Sequence, residues 1–205
     1  MKGNILNLLK ATGALLEGNE KYHFLLKSGK HSDRYIISRN VLKYPNLCQF
    51  FAEKLISNFK KSLGEEKITK IDYVISSAFS GVVFGYEVAK KLGVCFEFTK
   101  KEKGKQIWDG EIPEGACVLL IDDIFTYGTT ITLTIEALKS NPYSFEYLLH
   151  DGKIIVGVMI DRSPKGFETD YYVVSAIKLP FRTWDPEDCP LCKKGSKAIR
   201  PKKYK

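Results

Sequence analysis

Residues 118–131 read VLLIDDIFTYGTTI. The apolar run Val118–Ile121 is too short for a helix and suits a buried strand. Two acids, Asp122 and Asp123, stand at its end, and Thr126, Gly128, Thr129 and Thr130 follow at once. From Gly128 the pattern GTTITLTIEALKS (128–140) takes up helical spacing, so strand, turn and helix are predicted in that order. Backbone N–H groups at such a turn lack intrahelical partners and cradle an anion, with threonine hydroxyls as further donors. Gly128 permits close backbone approach. Two carboxylates beside a phosphate turn would repel that phosphate, so they require a neutral or cationic partner: ribose hydroxyls, or Mg2+ shared with a diphosphate. The plainer alternative makes Asp123 a cap and the threonines ordinary helix-start residues.

Outward from this run, short apolar strands alternate with helices. IDYVISSA (71–78), VCFEFTK (94–100) and IIVGVMIDR (154–162) read as strands, and GVVFGYEVAKKLG (81–93) as a helix ending in Gly93. That alternation predicts an α/β fold, a parallel sheet flanked by helices. Ligands of such sheets bind beyond the carboxyl ends of the strands, where Ser76–Gly81, Asp122–Thr130 and Asp161–Arg162 all fall. Earlier in the chain, Ile5, Leu8, Leu9, Thr12, Leu15 and Leu16 predict a helix over residues 3–18. YHFLLKSGKHSDRYIIS (22–38) reads as strand, Ser-Gly turn and strand. PNLCQFFAEKLISNFKKSL (45–63) reads as a helix with Leu47, Phe50, Phe51, Leu55, Ile56 and Phe59 on its apolar face.

With 205 residues, 44% of them hydrophobic, the chain is expected to form one domain over residues 1–205, ending in a basic tail from about residue 186. No apolar run reaches the ~18 residues of a membrane span, and the first residues lack the order of a secretion signal, so a cytoplasmic protein is expected. Five cysteines, at 48, 95, 117, 189 and 192, are an odd number, and three lie in apolar segments; reduced thiols fit better than a disulfide framework. The net charge of +8 suits an anionic small substrate. Its lysines crowd into 99–105 and 193–205 without interleaved aromatics, which argues against nucleic acid. Cys189 and Cys192 form a single Cys-x-x-Cys with no second Cys or His set at zinc-knuckle spacing, and read first as two reduced thiols in a terminal turn, with pairing across a dimer as the alternative.

The 118–131 stretch resembles the phosphoribosyl-pyrophosphate (PRPP) signature of type I phosphoribosyltransferases: apolar strand, two acids, two mostly apolar residues, Thr-x-Gly-x-Thr. The resemblance implies that family's parallel sheet with a small N-terminal hood. It implies that Asp122 and Asp123 hold ribose hydroxyls, Asp123 also serving catalysis, and that Thr126, Tyr127, Gly128, Thr129 and Thr130 hold the 5′-phosphate. Tyr127 stands where a small residue or Thr is usual. Further segments are similar to the orotate phosphoribosyltransferase branch. FLLKSGKHSDRYI (24–36) supplies Lys27, Ser28 and Tyr35 as substrate contacts, and SSAFSGVVFG (76–85) places Ala78, Phe79, Ser80 and Gly81 at the pyrophosphate loop. GVMIDRSPKG (157–166) supplies Arg162 for the orotate carboxylate, chemistry a guanidinium fork suits.

FTKKEKGKQIWDGEIPEG (98–115) resembles the flexible catalytic loop in its shorter form, with Lys100, Lys101 and Lys103 as candidate catalytic cations. Cys-Pro-Leu-Cys tails occur among short bacterial members. The resemblance implies transfer of phosphoribose from PRPP to orotate, with Mg2+ as cofactor and a homodimer. The alternatives are transfer to another base, or a non-catalytic PRPP- or nucleic-acid-binding regulator with the same fold.

Overall fold

A computed structural model describes residues 2–26, 28–103, 105–139 and 145–201. The chain forms two compact units. The first comprises Met1–Val41, Pro164–Gly166 and Pro180–Lys205, the second Leu42–Ser163 and Phe167–Leu179.

The first unit begins with α1 (Lys2–Ala11) and the short strands β1 (Leu15–Glu17), β2 (Tyr22–Leu25), β3 (His31–Ser32) and β4 (Arg34–Ile36). α2 (Arg39–Leu42) leads on to α3 (Pro45–Leu63), α4 (Glu65–Ile68), β5 (Tyr73–Ser77), α5 (Ser80–Leu92), β6 (Cys95–Glu102), β7 (Lys105–Ile107), β8 (Cys117–Phe125) and α6 (Thr129–Lys139). Two short strands, β9 (Glu146–Tyr147) and β10 (Leu149–His150), precede β11 (Lys153–Asp161) and β12 (Tyr171–Lys178). The chain then returns to the first unit with β13 (Thr183–Trp184), α7 (Pro190–Lys193) and β14 (Lys197–Ile199).

The second unit is the expected parallel sheet. β6, β5, β8, β11 and β12 run parallel side by side, with β7 returning antiparallel at the β6 edge. Strands alternate their faces, so Val118, Leu120, Val156 and Val158 share a buried cluster with Ile131, Ile135 and Leu138 of α6. α3 packs on β11 and β12, and α5 on β5 and β8. Gly157 is the tightest point of the α3 layer. A Cβ there would run into Ile121 Cδ1 and come within 2.8 Å of Phe59 Cζ.

α3 starts at Pro45 and ends at Leu63, the predicted limits, but its buried face is Cys48, Phe51, Ala52, Leu55 and Phe59, while Phe50 is exposed. The helix predicted over 3–18 stops at Ala11. Leu15 and Leu16 match its spacing, yet Gly13 takes a left-handed φ of +67°, its N–H donates to the Lys10 carbonyl, and Leu15–Glu17 pairs antiparallel with Arg34–Ile36. The predicted 22–38 hairpin forms, with Phe24 opposite Ser32 and Leu25 opposite His31. The segment read as a solvated tail is folded through Ile199: β14 pairs in parallel with β2, Ala198 opposite His23.

Substituting Ala at Gly157 overpacks a layer of fully buried side chains and is expected to destabilise by about 1–3 kcal/mol. Denaturant unfolding of Gly157→Ala checks this, with a lowered midpoint at unchanged m-value as the expected result.

Candidate active site

The order of the parallel strands reverses between β5 and β8. From β5 the chain crosses through α5 to β6 on one side; from β8 it continues to β11 and β12 on the other. A crevice outside the carboxyl ends of the strands at such a reversal is where open α/β sheets bind ligands. Two helices begin there, α5 at Ser80 and α6 at Thr129, each directly after the strand it follows. Neither has an acid in its first turn, and Phe79, at the cap of α5, makes no side-chain capping bond, so the leading N–H groups are left for an anion.

The acid pair divides its duties. Asp122 is buried: its Oδ1 accepts from Ser77 Oγ at 3.2 Å and from the Asp123 N–H at 2.9 Å. Burial, and then the neighbouring Asp123 charge, push the Asp122 carboxyl well above the ordinary carboxylate range. Asp123, the next residue of β8, is half-buried. Gly81 makes room behind the pair, since a Cβ there would lie 3.0 Å from Asp122 Oδ1. One partly exposed carboxylate at a phosphate-binding edge fits a hard cation that takes few protein oxygens and completes its shell from substrate phosphates. Ser77, which ties Asp122 to β5, lies in the Ser76–Gly81 segment expected at the strand ends but is not among the residues expected to contact substrate.

The turn from Thr126 to Thr130 is braced from two sides. Arg162 Nε donates to Thr126 Oγ1 at 2.7 Å, and the Arg162 N–H donates to the Phe125 carbonyl, so the end of β11 is tied to the turn. Gly128 holds φ +79° with Tyr171 and Phe125 ring carbons 3.0 and 3.2 Å from where a Cβ would stand. Tyr171, opposite Thr132 with a 2.8 Å hydroxyl contact, was also missed; it opens a YYVV run that reads as a strand. The Tyr127 ring packs edge-on against Phe167 with centroids 5.2 Å apart, which accommodates a large residue where a small one is usual. Asp161 pairs with Lys178 at 3.3 Å and accepts from the Ser163 N–H at 2.9 Å.

In the pyrophosphate-loop segment, Ala78 and Ser80 are half-buried, Phe79 is 84% exposed and Gly81 is buried. The lysine-rich segment forms the β6–β7 hairpin, with Lys100 opposite Ile107 and Lys101 opposite Gln106; Trp108 and Ile112 anchor its return in the core. Lys100 Nζ lies 2.6 Å from Asp109 Oδ2, and this bond holds the Asp109 carboxyl below its ordinary range. Lys101 and Lys103 are exposed and form no ion pair among the described residues.

Of the remaining predicted residues, Ser28 and Tyr35 belong to the first unit. Ser28 is exposed in a turn closed by Leu26 and Lys30, and the Tyr35 ring packs on Phe24 at 5.9 Å. Lys27 lies outside the described residues.

Comparison with known proteins agrees with this architecture. The phosphoribosyl transferase domain matches residues 47–188. Orotate phosphoribosyltransferase of Caldanaerobacter subterraneus subsp. tengcongensis is 35% identical over 189 residues, covering 91% of each chain. That of Caldicellulosiruptor bescii is 34% identical over 203 residues, covering 98% of this chain and 96% of its own. Among solved structures, orotate phosphoribosyltransferase from Aeropyrum pernix superposes with a TM-score of 0.64 at 26% identity, covering 84% of this chain and 92% of its own. The chain belongs to the orotate phosphoribosyltransferase family of type I phosphoribosyltransferases.

Proposed function

We propose that this protein transfers the phosphoribosyl group of PRPP to orotate, giving orotidine 5′-monophosphate and pyrophosphate in pyrimidine synthesis. One observation carries the reading: Asp123, two helix N-termini and Arg162 are borne on neighbouring strand ends at the reversal point of the sheet. The C1–oxygen bond to the diphosphate breaks, the electron pair leaves with the diphosphate, and orotate N1 forms the new bond to C1. The transition state is oxocarbenium-like, so catalysis is mostly positioning and charge stabilisation.

The Thr126–Thr130 turn at the head of α6 holds the 5′-phosphate, Asp123 accepts from ribose hydroxyls, and the Ser80–Gly81 N–H groups face the diphosphate. Asp122 acts through Asp123 and Ser77, orienting the edge that ribose meets. Mg2+, when bound with the diphosphate near Asp123, supplies neutralisation of its charge. Lys101 and Lys103 are hairpin cations without an ion pair among the described residues and cover the leaving group, whereas Lys100 must first leave its exposed pair with Asp109. Arg162 reads the base carboxylate; its Nε bond to Thr126 sets the guanidinium against the phosphate turn. Ser28, Tyr35 and Lys27 are assigned to substrate by family likeness. The protein works in the cytoplasm as a homodimer. No helix among the described residues is long and apolar enough to cross a membrane. The packed helices α3 and α5 leave Phe50, Val83 and Tyr86 exposed, apolar surface suited to a second copy.

Pyrophosphate release from PRPP and Mg2+ is expected with orotate and not with adenine, hypoxanthine or uracil. Asp123→Asn should reduce it by at least ~10²-fold. Arg162→Ala should raise the KM for orotate more than the KM for PRPP, whose phosphate turn loses one brace; release with a purine instead would overturn the base assignment.

Asp122 generates a separate expectation. Its folded-state pKa lies above the unfolded value, so its contribution to stability is fully present below the ordinary carboxylate range and is lost as pH rises through the raised value. Asp122→Asn keeps a Ser77 partner and removes the buried charge. It should flatten that part of the stability profile and raise Tm relative to the parent at pH above the raised value, by about 2–4 °C for each kcal/mol relieved. A Tm-against-pH series identical to the parent's would show that Asp122 titrates as an ordinary carboxyl.

A further inference from the structure

Away from the sheet edge, the first unit gathers four side chains that the proposed reaction does not use. His23 on β2, His31 on β3, Cys189 at the N-cap of α7 and Cys192 within α7 bring one ligand atom each to within 4.8 Å of one another. His23 Nε2 lies 3.0 Å from His31 Nδ1, 3.6 Å from Cys189 Sγ and 3.5 Å from Cys192 Sγ, and Cys192 Sγ lies 3.3 Å from His31 Nδ1. Three of the four residues are buried and the fourth is half-buried.

Hydrogen bonding does not account for this convergence. A neutral imidazole nitrogen either donates one proton or accepts. His23 Nε2 has three such neighbours at once, all atoms that ligate metals in their deprotonated form. A cation at the centre satisfies all four together. Zinc–sulfur and zinc–nitrogen bonds of about 2.3 and 2.0–2.1 Å give a tetrahedron with edges of ~3.3–3.8 Å, close to the separations observed. The other ring nitrogen of His23 is also engaged: Nδ1 lies 3.0 Å from Ser196 Oγ, which in turn donates to the Asn19 carbonyl. Such an outer partner fixes the ring so that Nε2 faces the metal. At Gly195, with φ +83°, the chain turns directly after Cys192, and its N–H donates to the Cys192 carbonyl.

We infer that His23, His31, Cys189 and Cys192 form a closed, structural zinc site that joins the C-terminal turn to the N-terminal hairpin. Two sulfur and two nitrogen donors in tetrahedral array favour Zn2+ over hard cations, and four protein ligands leave no position for substrate. The metal ties β2 and β3, which flank the Ser28 turn, to the segment that continues into β14.

The test uses the full chain purified from zinc-supplemented cells. Elemental analysis should find about one zinc per chain, as a single closed site requires. Exchange of the zinc for Co2+ should produce the intense visible bands of a tetrahedral ion and near-ultraviolet thiolate charge transfer. Cys192→Ser should abolish that charge-transfer pattern, Ser196→Ala should weaken metal affinity about 10–100-fold, and Cys95→Ser, at an exposed cysteine outside the cluster, should leave both unchanged. Because Cys192→Ser could misfold, the cobalt spectrum of the parent chain decides by itself. Weak octahedral bands, a chain isolated without zinc that takes up none, or a Cys189–Cys192 disulfide in the isolated protein would overturn the proposal.

Discussion

The parallel pairing of β5 with β8 is the constraint on which the active site depends. It sets Tyr73 opposite Val118 and Ser76 opposite Ile121, so the next residues along, Ser77 and Asp122, meet as a hydrogen-bonded pair. That contact holds a buried carboxyl at the one place where adjacent strands send their chains in opposite directions. The same pairing puts the starts of α5 and α6 at one edge of the sheet, each after the strand it follows. An anion-binding edge thus follows from strand order and from helix starts without acids, before any particular side chain is considered.

The acids are then explained by division rather than duplication. Two ionised carboxylates at a phosphate edge would oppose the ligand. Burial and mutual repulsion raise Asp122, and Asp123 remains the partly exposed partner for hydroxyls or a cation. The hydroxyl of Thr126 is similarly committed, accepting from Arg162 at 2.7 Å. A residue read from the motif as a phosphate donor therefore also couples the phosphate turn to the strand that carries the base-reading arginine.

Local pattern carried most of the second unit. Strands 73–77, 95–102, 117–125 and 153–161 and helices 45–63 and 80–92 all declare themselves through short apolar runs, helical spacing and terminal Pro or Gly. What escaped was non-local. Leu15 and Leu16 fit a helical face, and only their pairing with β4 shows that Gly13 has already ended the helix. Tyr171–Lys178 has a strand-like apolar run, but only its pairing with β11 puts the Tyr171 ring against Gly128. The pairing of His23 and His31 with Cys189 and Cys192 spans 161–169 residues, a separation at which no spacing rule operates. A lone Cys-x-x-Cys was read as too few ligands because the other two are in a hairpin at the opposite end of the sequence.

The two units solve the stability problem by different means. The second buries continuous apolar strands of five to nine residues between helical layers, which suffices for a core. Strands of two to four residues make up the first, drawn from both ends of the chain, and give few ladder bonds and little apolar area each. Units of that kind usually rely on a cross-link. Structural zinc contributes about 10–16 kcal/mol in small peptides, far more than the exposed Lys30–Asp185 pair and the partly exposed Arg182–Asp33 pair that also link the chain's ends here. On this account the tail does more than carry exposed charge: its cysteines complete a cross-link whose other half is carried by the hairpin next to the Ser28 turn.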